Sequence, residues 1–249
     1  MGQKDSDIAY ALEALQRGNY ELPQGCEVTY DLKAIDILKS LLRRNQAQEA
    51  IRAYYEDFRD REGMRPTALE AFSDGYSPRN TRSTHGSWLR FVGSMEDLSS
   101  MQQELLKKHG VFLDMLESTP MTKSYKMVTI LAMLASNSLP GSISIDDLTT
   151  EFIKIVKKSA GLKADIGINY TEVPRVRNLL IKNPIDAWTG DAHFSFDTQR
   201  FSCSIHLDEN ERDDFQEMVR ELVDWRLAEY LQRENNQNTE AETGNPDNL

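Results

Sequence analysis

Gly63-Met64-Arg65-Pro66-Thr67-Ala68-Leu69-Glu70, then Gly75-Tyr76-Ser77-Pro78-Arg79-Asn80-Thr81-Arg82, then Gly86-Ser87-Trp88, punctuates the middle of this chain into a small trihelical unit over about residues 46–93. Gly63 suits the left-handed end of a helix running from Gln46 with Ile51, Tyr54, Tyr55 and Phe58 on its apolar face. Pro66 suits the first turn of the next helix, where a missing N–H costs nothing. Gly75 ends that second helix, and Ser77 and Pro78 read as the N-cap and first residue of a third, which reaches about Val92. Trp88, at helical spacing from Phe91 and Val92, reads as a core anchor ahead of a base-stacking group. From Gly75 to Phe91 there is no acid, while Arg79, Arg82 and Arg90 fall among Asn80, Thr81, Ser83, Thr84 and Ser87. Those side chains are the donors that phosphates and base edges require.

The rest of the chain is read by the same periodicities. Asp5 to Arg17 has a short amphipathic helical pattern, Glu21 to Tyr30 a connector, and Asp31 the character of an N-cap for a helix with Ile35, Leu38 and Leu42, turning at Arg43-Arg44-Asn45. Ser94 to His109 predicts a helix closed by Gly110, with a short helical linker to Glu117 and a domain boundary at Ser118-Thr119-Pro120. Beyond it come an apolar helix over Ser124 to Ala135, a strand at Ser142 to Ile145, a helix from Asp146, a third over Glu172 to Lys182, and a hairpin from Phe194-Ser195-Phe196 to Phe201 through Ile205. The fold class expected is therefore mainly α: a helical domain over 1–117 with a helix-turn-helix-like unit, and a winged-helix-like α+β domain over 118–207. An amphipathic acidic helix over 208–233 and a disordered tail over 234–249 follow. The expected recognition helix carries Arg175, Arg177 and Lys182 with no acid from Val173 to Pro184, and Lys154, Lys157, Lys158 and Lys163 form a second acid-free run.

A net charge of −11 argues against nucleic-acid binding until it is divided along the chain. Asp208 to Leu249 holds thirteen acids against four arginines, nine of the eleven net negative charges, and leaves the body nearly neutral with basic stripes. The local field decides such contacts. The chain has no long apolar run and no apolar leader after Met1-Gly2-Gln3-Lys4-Asp5, so cytoplasmic residence without a membrane span is expected. Cys26 and Cys203 stand alone, and His85, His109, His193 and His206 lack metal-ligand spacing; no cofactor or metal is expected.

The Gly-x-Arg-Pro-Thr start, basic turn-helix and Gly-Ser-Trp step resemble the homing-endonuclease-associated repeat, with His85 in place of the usual aromatic residue before Gly86. Over a longer span, Arg65-Pro66-Thr67-Ala68-x-Glu70, Gly86-Ser87-Trp88-Leu89-x-Phe91-Val92, Met121 through Val128 and Lys182-Asn183-Pro184-Ile185 resemble the C-terminal accessory region of bacterial DEAD/DEAH-box (superfamily II) helicases, enzymes often found in restriction and phage-defence loci. That resemblance implies DNA engagement beside a motor. The motor's own words are missing: there is no Gly-x-x-x-x-Gly-Lys-Ser/Thr loop and no Asp-Glu-x-His/Asp box.

Catalytic readings are weaker. Asp146, Asp147, Glu151 and Lys154 lie on an expected helix, at a spacing unlike the Glu-x-Lys of nuclease strands, and read as a capped helix start. Asp186 with Asp191 is weaker still, and no Gly-x-Ser-x-Gly elbow occurs. The expectation is a non-catalytic DNA-binding accessory protein, contacting DNA through Arg65, Arg79, Asn80, Arg82, Arg90, Lys123, Arg175, Arg177 and Lys182. Its expected partners are DNA and a helicase/ATPase or nuclease subunit, with no small-molecule substrate. The alternative is a protein-interaction module docking on such a subunit through the second domain and the acidic helix.

Overall fold

A single 31-residue helix, α1 (Leu32–Glu62), replaces the two helices and the turn expected at Arg43-Arg44-Asn45. The stretch Arg43 to Gln48 has neither Gly nor Pro, and Arg, Gln and Ala are good helix formers, so nothing local stops propagation. The computed structural model describes residues 32–167 and 169–243. The expected helix at Asp5 to Arg17, the connector to Tyr30, the Asp31 cap and the last residues of the expected tail lie outside that range.

Gly63 ends α1 at φ +71, and α2 (Ala68–Ser73) follows. Pro66 stands just before its cap, a correction to the first-turn role expected for it: the N-cap is Thr67, whose hydroxyl accepts the Glu70 N–H (3.2 Å) while the Glu70 carboxylate accepts the Thr67 N–H (2.7 Å). Thr67→Ala should cost about 1 kcal/mol in a urea melt, the usual value of such a cap.

Gly75, at φ +91, ends α2 as expected. The expected third helix is broken in two. Pro78–Thr81 is a 3-10 turn without a Ser77 side-chain cap, α3 is only Arg82–His85, and Gly86 at φ +89 redirects the chain into α4 (Trp88–Ser94). Only glycine takes that φ without strain. The redirection buries Trp88, Leu89, Phe91 and Val92 and brings Tyr55 edge-on to Phe91 at 5.2 Å.

Helix α5 (Ser100–Ser118) starts later and ends later than the sequence suggests. Ser99 and Gln102 form its capping box, and the helix passes through Gly110 with a kink at His109. Gly110 is not a terminator: a Cβ there would lie 2.9 Å from an Arg90 Nη, so its role is to let that guanidinium cross the helix.

The second half runs α6 (Tyr125–Ala135), β1 (Gly141–Ser144), α7 (Ile145–Lys157), α8 (Ala160–Ile166), α9 (Val173–Leu180), a π turn (Ile181–Ile185), α10 (Asp186–Thr189), β2 (Phe194–Phe196) and β3 (Arg200–Cys203). The strands form one antiparallel sheet in the order β1-β3-β2, with Phe201 opposite both Ile143 and Phe196. Two details correct the sequence reading. Helix α8, capped by Ser159 and ended by Gly167 at φ +63, is absent from the expected elements, and the helix expected to reach Lys182 widens into the π turn where Pro184 has no N–H to give.

Helix α11 (Arg212–Thr243) buries Phe215, Met218, Leu222, Trp225 and Tyr230, the stripe read from the sequence. It continues past Arg233, where a disordered tail is expected, because Glu234 to Thr243 contains no Gly or Pro. Along its length it packs on α2, α5 and α6, so the buried apolar side chains on either side of Ser118-Thr119-Pro120 form one continuous core. No described helix is long and apolar enough to cross a membrane.

Candidate nucleic-acid interface

The acid-free stretch of the first unit is acid-free in sequence only. Arg65 makes a bidentate pair with Glu221 of α11 (2.9 and 2.8 Å), and the same carboxylate accepts the Trp88 indole N–H (2.7 Å) and the Ala68 N–H (3.0 Å). Arg82 pairs with Glu117 of α5 (2.7 Å), which also takes the Trp88 backbone N–H (2.9 Å). Arg90 pairs with Asp114 (2.8 Å), and Arg79 makes a two-point contact with Glu229 of α11. The short polar side chains are engaged likewise: Thr81 donates to the Pro78 carbonyl, Thr84 donates to the Gln48 side-chain oxygen of α1, and Ser83 accepts from the Gln48 amide. Asn80 is half-buried. His85, in the place of an aromatic residue, stands edge-on to Phe91 at 5.3 Å and is held below its ordinary pKa by burial and then by Arg52.

Burial ranks these arginines. The Glu221 and Glu117 side chains are only 5% and 2% exposed, so Arg65 and Arg82 cannot leave without stranding a buried carboxylate. Burial raises the Glu117 pKa in spite of Arg82 and the Trp88 N–H, a measure of how little solvent reaches it. Lys123 bonds Asp165 (3.0 Å), a carboxylate also held by the Ser124 N–H (2.8 Å) and the Tyr230 hydroxyl (2.6 Å). Burial would raise Asp165, but the bonds from Ser124, Tyr230 and Lys123 outweigh it and hold its pKa below the ordinary value. Arg65 and Arg79 tie α11, and Arg82 and Arg90 tie α5, to the rest of the molecule, while Lys123 ties the chain before α6 to Asp165 of α8.

The second-half cations are in a different situation. Arg175 pairs with Glu172 (2.7 Å) and Arg177 with Asp146 (3.1 Å), but Arg175 is 66% exposed and Asp146 83%. Such solvent-facing pairs are worth roughly 0–1 kcal/mol and exchange readily for phosphate. Lys182 is exposed on the π turn, Asn178 on α9, and Lys154, Lys157 and Lys158 at the end of α7. From Ile153 to Pro184 there are seven basic residues and two acids, and one of those acids, Asp165, is already turned inward to Lys123 and Tyr230. The Ser144 hydroxyl caps α7 through the Asp147 N–H (3.0 Å), and Asp146 and Asp147 occupy its first turn.

Sequence reasoning missed Glu117, Glu221 and Arg226. Arg226 is 3% exposed and donates to the carbonyls of Glu117 (2.8 Å) and Thr119 (2.7 Å). A signal existed: Glu221 and Arg226 fall on the same helical stripe as Met218, Leu222 and Trp225, and a charge on an apolar stripe requires a buried partner. No protein-family model, curated protein or solved structure matches the chain.

Proposed function

We propose that the chain is a non-catalytic nucleic-acid-binding accessory protein whose duplex contact lies on α9, the π turn and the end of α7. The observation that carries this reading is the contrast in how the cations are held. Arg175, Lys182, Lys157 and Lys158 are exposed, and Arg177 pairs only with a solvent-facing acid, whereas Arg65 and Arg82 are locked against buried ones. Helix, strand, helices and hairpin with the sheet order β1-β3-β2 agree with a winged-helix arrangement, in which α9 is the recognition helix and Arg175 and Asn178 meet the groove. The helicase-like words at Arg65 to Glu70 and at Gly86 to Val92 support placing the protein beside a superfamily II motor in DNA processing or defence.

The test is duplex binding by fluorescence anisotropy across a salt series. Replacing Lys157, Lys158, Arg175 and Lys182 together by alanine should weaken binding by about 10²-fold or more near 0.1 M salt and flatten the log–log salt slope by roughly 0.9 for each phosphate no longer neutralised. An unchanged slope removes this surface from the interface.

A second reading has its own observation. Ile37, Leu38 and Leu41 of α1 are exposed at 60%, 49% and 44%, an apolar set suited to a protein partner. If the wild-type chain shows no salt-dependent duplex binding, docking on a motor or nuclease subunit becomes the better account. Of the acids over 208–233, Glu211, Glu221 and Glu229 are engaged by Lys108, Arg65 and Arg79, whereas Glu209, Asp213 and Glu217 are exposed.

A further inference from the structure

Where α11 passes the 3-10 turn and the chain leading into α6, a cavity of about 300 Å³ is lined by Arg79, Met121, Arg226, Glu229, Tyr230 and Arg233. Arg226 and Arg233 lie seven residues apart on one face of α11. Arg79 enters from a different element. Three guanidinium groups here face a single lining carboxylate, Glu229, which contacts Arg79 closely and Arg226 at 3.7 Å.

The positive charge is under-compensated at its most buried point. Arg226 spends its two terminal nitrogens on backbone carbonyls, neutral acceptors that cancel no charge, and its buried Nε–H has no hydrogen-bond partner among the described residues. Burial, followed by the repulsion of Arg79, lowers its pKa to about 10, an uncommon value for a guanidinium. Arg233 donates to the Met121 carbonyl (3.0 Å), reaches Glu234 at 3.4 Å and lies over the Tyr230 ring (5.1 Å).

We propose that this cavity is a binding site for a phosphomonoester dianion. Three guanidinium groups and one carboxylate line the cavity, and even with Glu234 beside Arg233 counted the site keeps a net positive charge for the dianion; planar guanidinium forks are the side chains suited to two-point phosphate recognition. Glu229 and Arg233 also line an adjoining cavity of about 290 Å³ with Phe72, Gln232, Asn236 and Gln237, whose aromatic face and amides suit the organic part of the ester. In the unliganded protein the Glu229 carboxylate acts as a built-in competitor for Arg79. The site is separate from the α9 surface, so it holds or fails independently of duplex binding.

Thermal unfolding of the purified chain in inorganic phosphate, against chloride at equal ionic strength, tests it. Phosphate should raise Tm with a saturable concentration dependence, as expected of a ligand that binds only the folded state. Arg233→Gln should weaken phosphate at least tenfold, and Glu229→Gln should tighten it by removing the competitor, two changes in opposite directions that general destabilisation would not produce. A nucleoside 5′-monophosphate that binds more tightly than phosphate, while the nucleoside does not bind, assigns the site to a small metabolite. Capture of a 5′-phosphorylated single strand in preference to its 5′-hydroxyl form, abolished in Arg233→Gln, assigns it to a strand end. No stabilisation beyond chloride, or the two variants moving phosphate affinity the same way, overturns the proposal.

Discussion

Glu221→Ala is expected to destabilise the protein by roughly 3–5 kcal/mol, the cost of removing one partner from a buried ion pair. Three donors converge on this carboxylate, the Arg65 guanidinium, the Trp88 indole N–H and the Ala68 backbone N–H, and Trp88 and Ala68 are fully buried. Alanine leaves the Trp88 and Ala68 N–H groups without an acceptor and Arg65 charged at 17% side-chain exposure, with the neutral Pro66 carbonyl (3.1 Å) in place of a counter-ion. The Arg65 pair sets the size of the effect, since an orphaned neutral donor costs only about 1–3 kcal/mol. Glu221→Gln, which keeps one acceptor oxygen for Trp88 and Ala68, should lose less than alanine, and Arg65→Ala combined with Glu221→Ala should lose less than the sum of the two single variants. Urea melts with an unchanged m-value measure each step; a loss under about 1 kcal/mol for Glu221→Ala would mean that water reaches the carboxylate and replaces its partners.

That network changes the meaning of the chain's charge division. Read linearly, the acids of α11 are a separate block that leaves the body free to meet DNA. In three dimensions α11 packs along α2, α5 and α6, and its acids become counter-ions of the first unit: Glu221 for Arg65 and Glu229 for Arg79. The acid-free run from Gly75 to Phe91 is the surface on which acids distant in sequence land. Charge segregation along a sequence is thus as compatible with self-recognition as with a nucleic-acid partner. Burial of the acid partner separates the two: 2–5% exposure at Glu117 and Glu221, against 83% at Asp146.

Most of the local architecture is legible in the sequence. Gly63 and Gly75 take the positive φ their positions imply, Trp88 is in the core, and the α11 stripe is buried residue for residue. The departures have local physical causes. The polar, Gly-free stretch at Arg43 to Gln48 resembles a turn but carries no breaker, so α1 continues. Gly110 resembles a helix end but is a close-approach glycine under Arg90, a distinction only the tertiary neighbour supplies. Helix α8 is short, and its Ser159 cap and Gly167 end flank too few apolar residues for periodicity to register. The partners of the arginines are illegible because Arg65 and Glu221 stand 156 residues apart, and no local rule pairs residues at that separation.

Arg226→Ala should be nearly as damaging as the loss of Glu221, at about 3–4 kcal/mol, for a different reason. Arg226 is a buried charge whose terminal nitrogens meet carbonyls, so its desolvation is only partly offset, and a neutral side chain there relieves the repulsion from Arg79 and Arg82. Two terms outweigh that relief. Alanine opens a cavity at a position 3% exposed, beside Trp225, and it strands the Thr119 carbonyl and leaves the Glu117 carbonyl to Arg82 alone at the end of α5, where the chain leaves the first unit for the second. Arg226→Met separates the terms: it refills the volume and removes the charge but still takes the donors from the Thr119 and Glu117 carbonyls, stranding the first, and should recover about half of the alanine loss. Full recovery with methionine would show that Arg226 acts by volume alone. No recovery would show that its two hydrogen bonds at the Glu117–Thr119 junction are what hold α11 against both halves of the molecule.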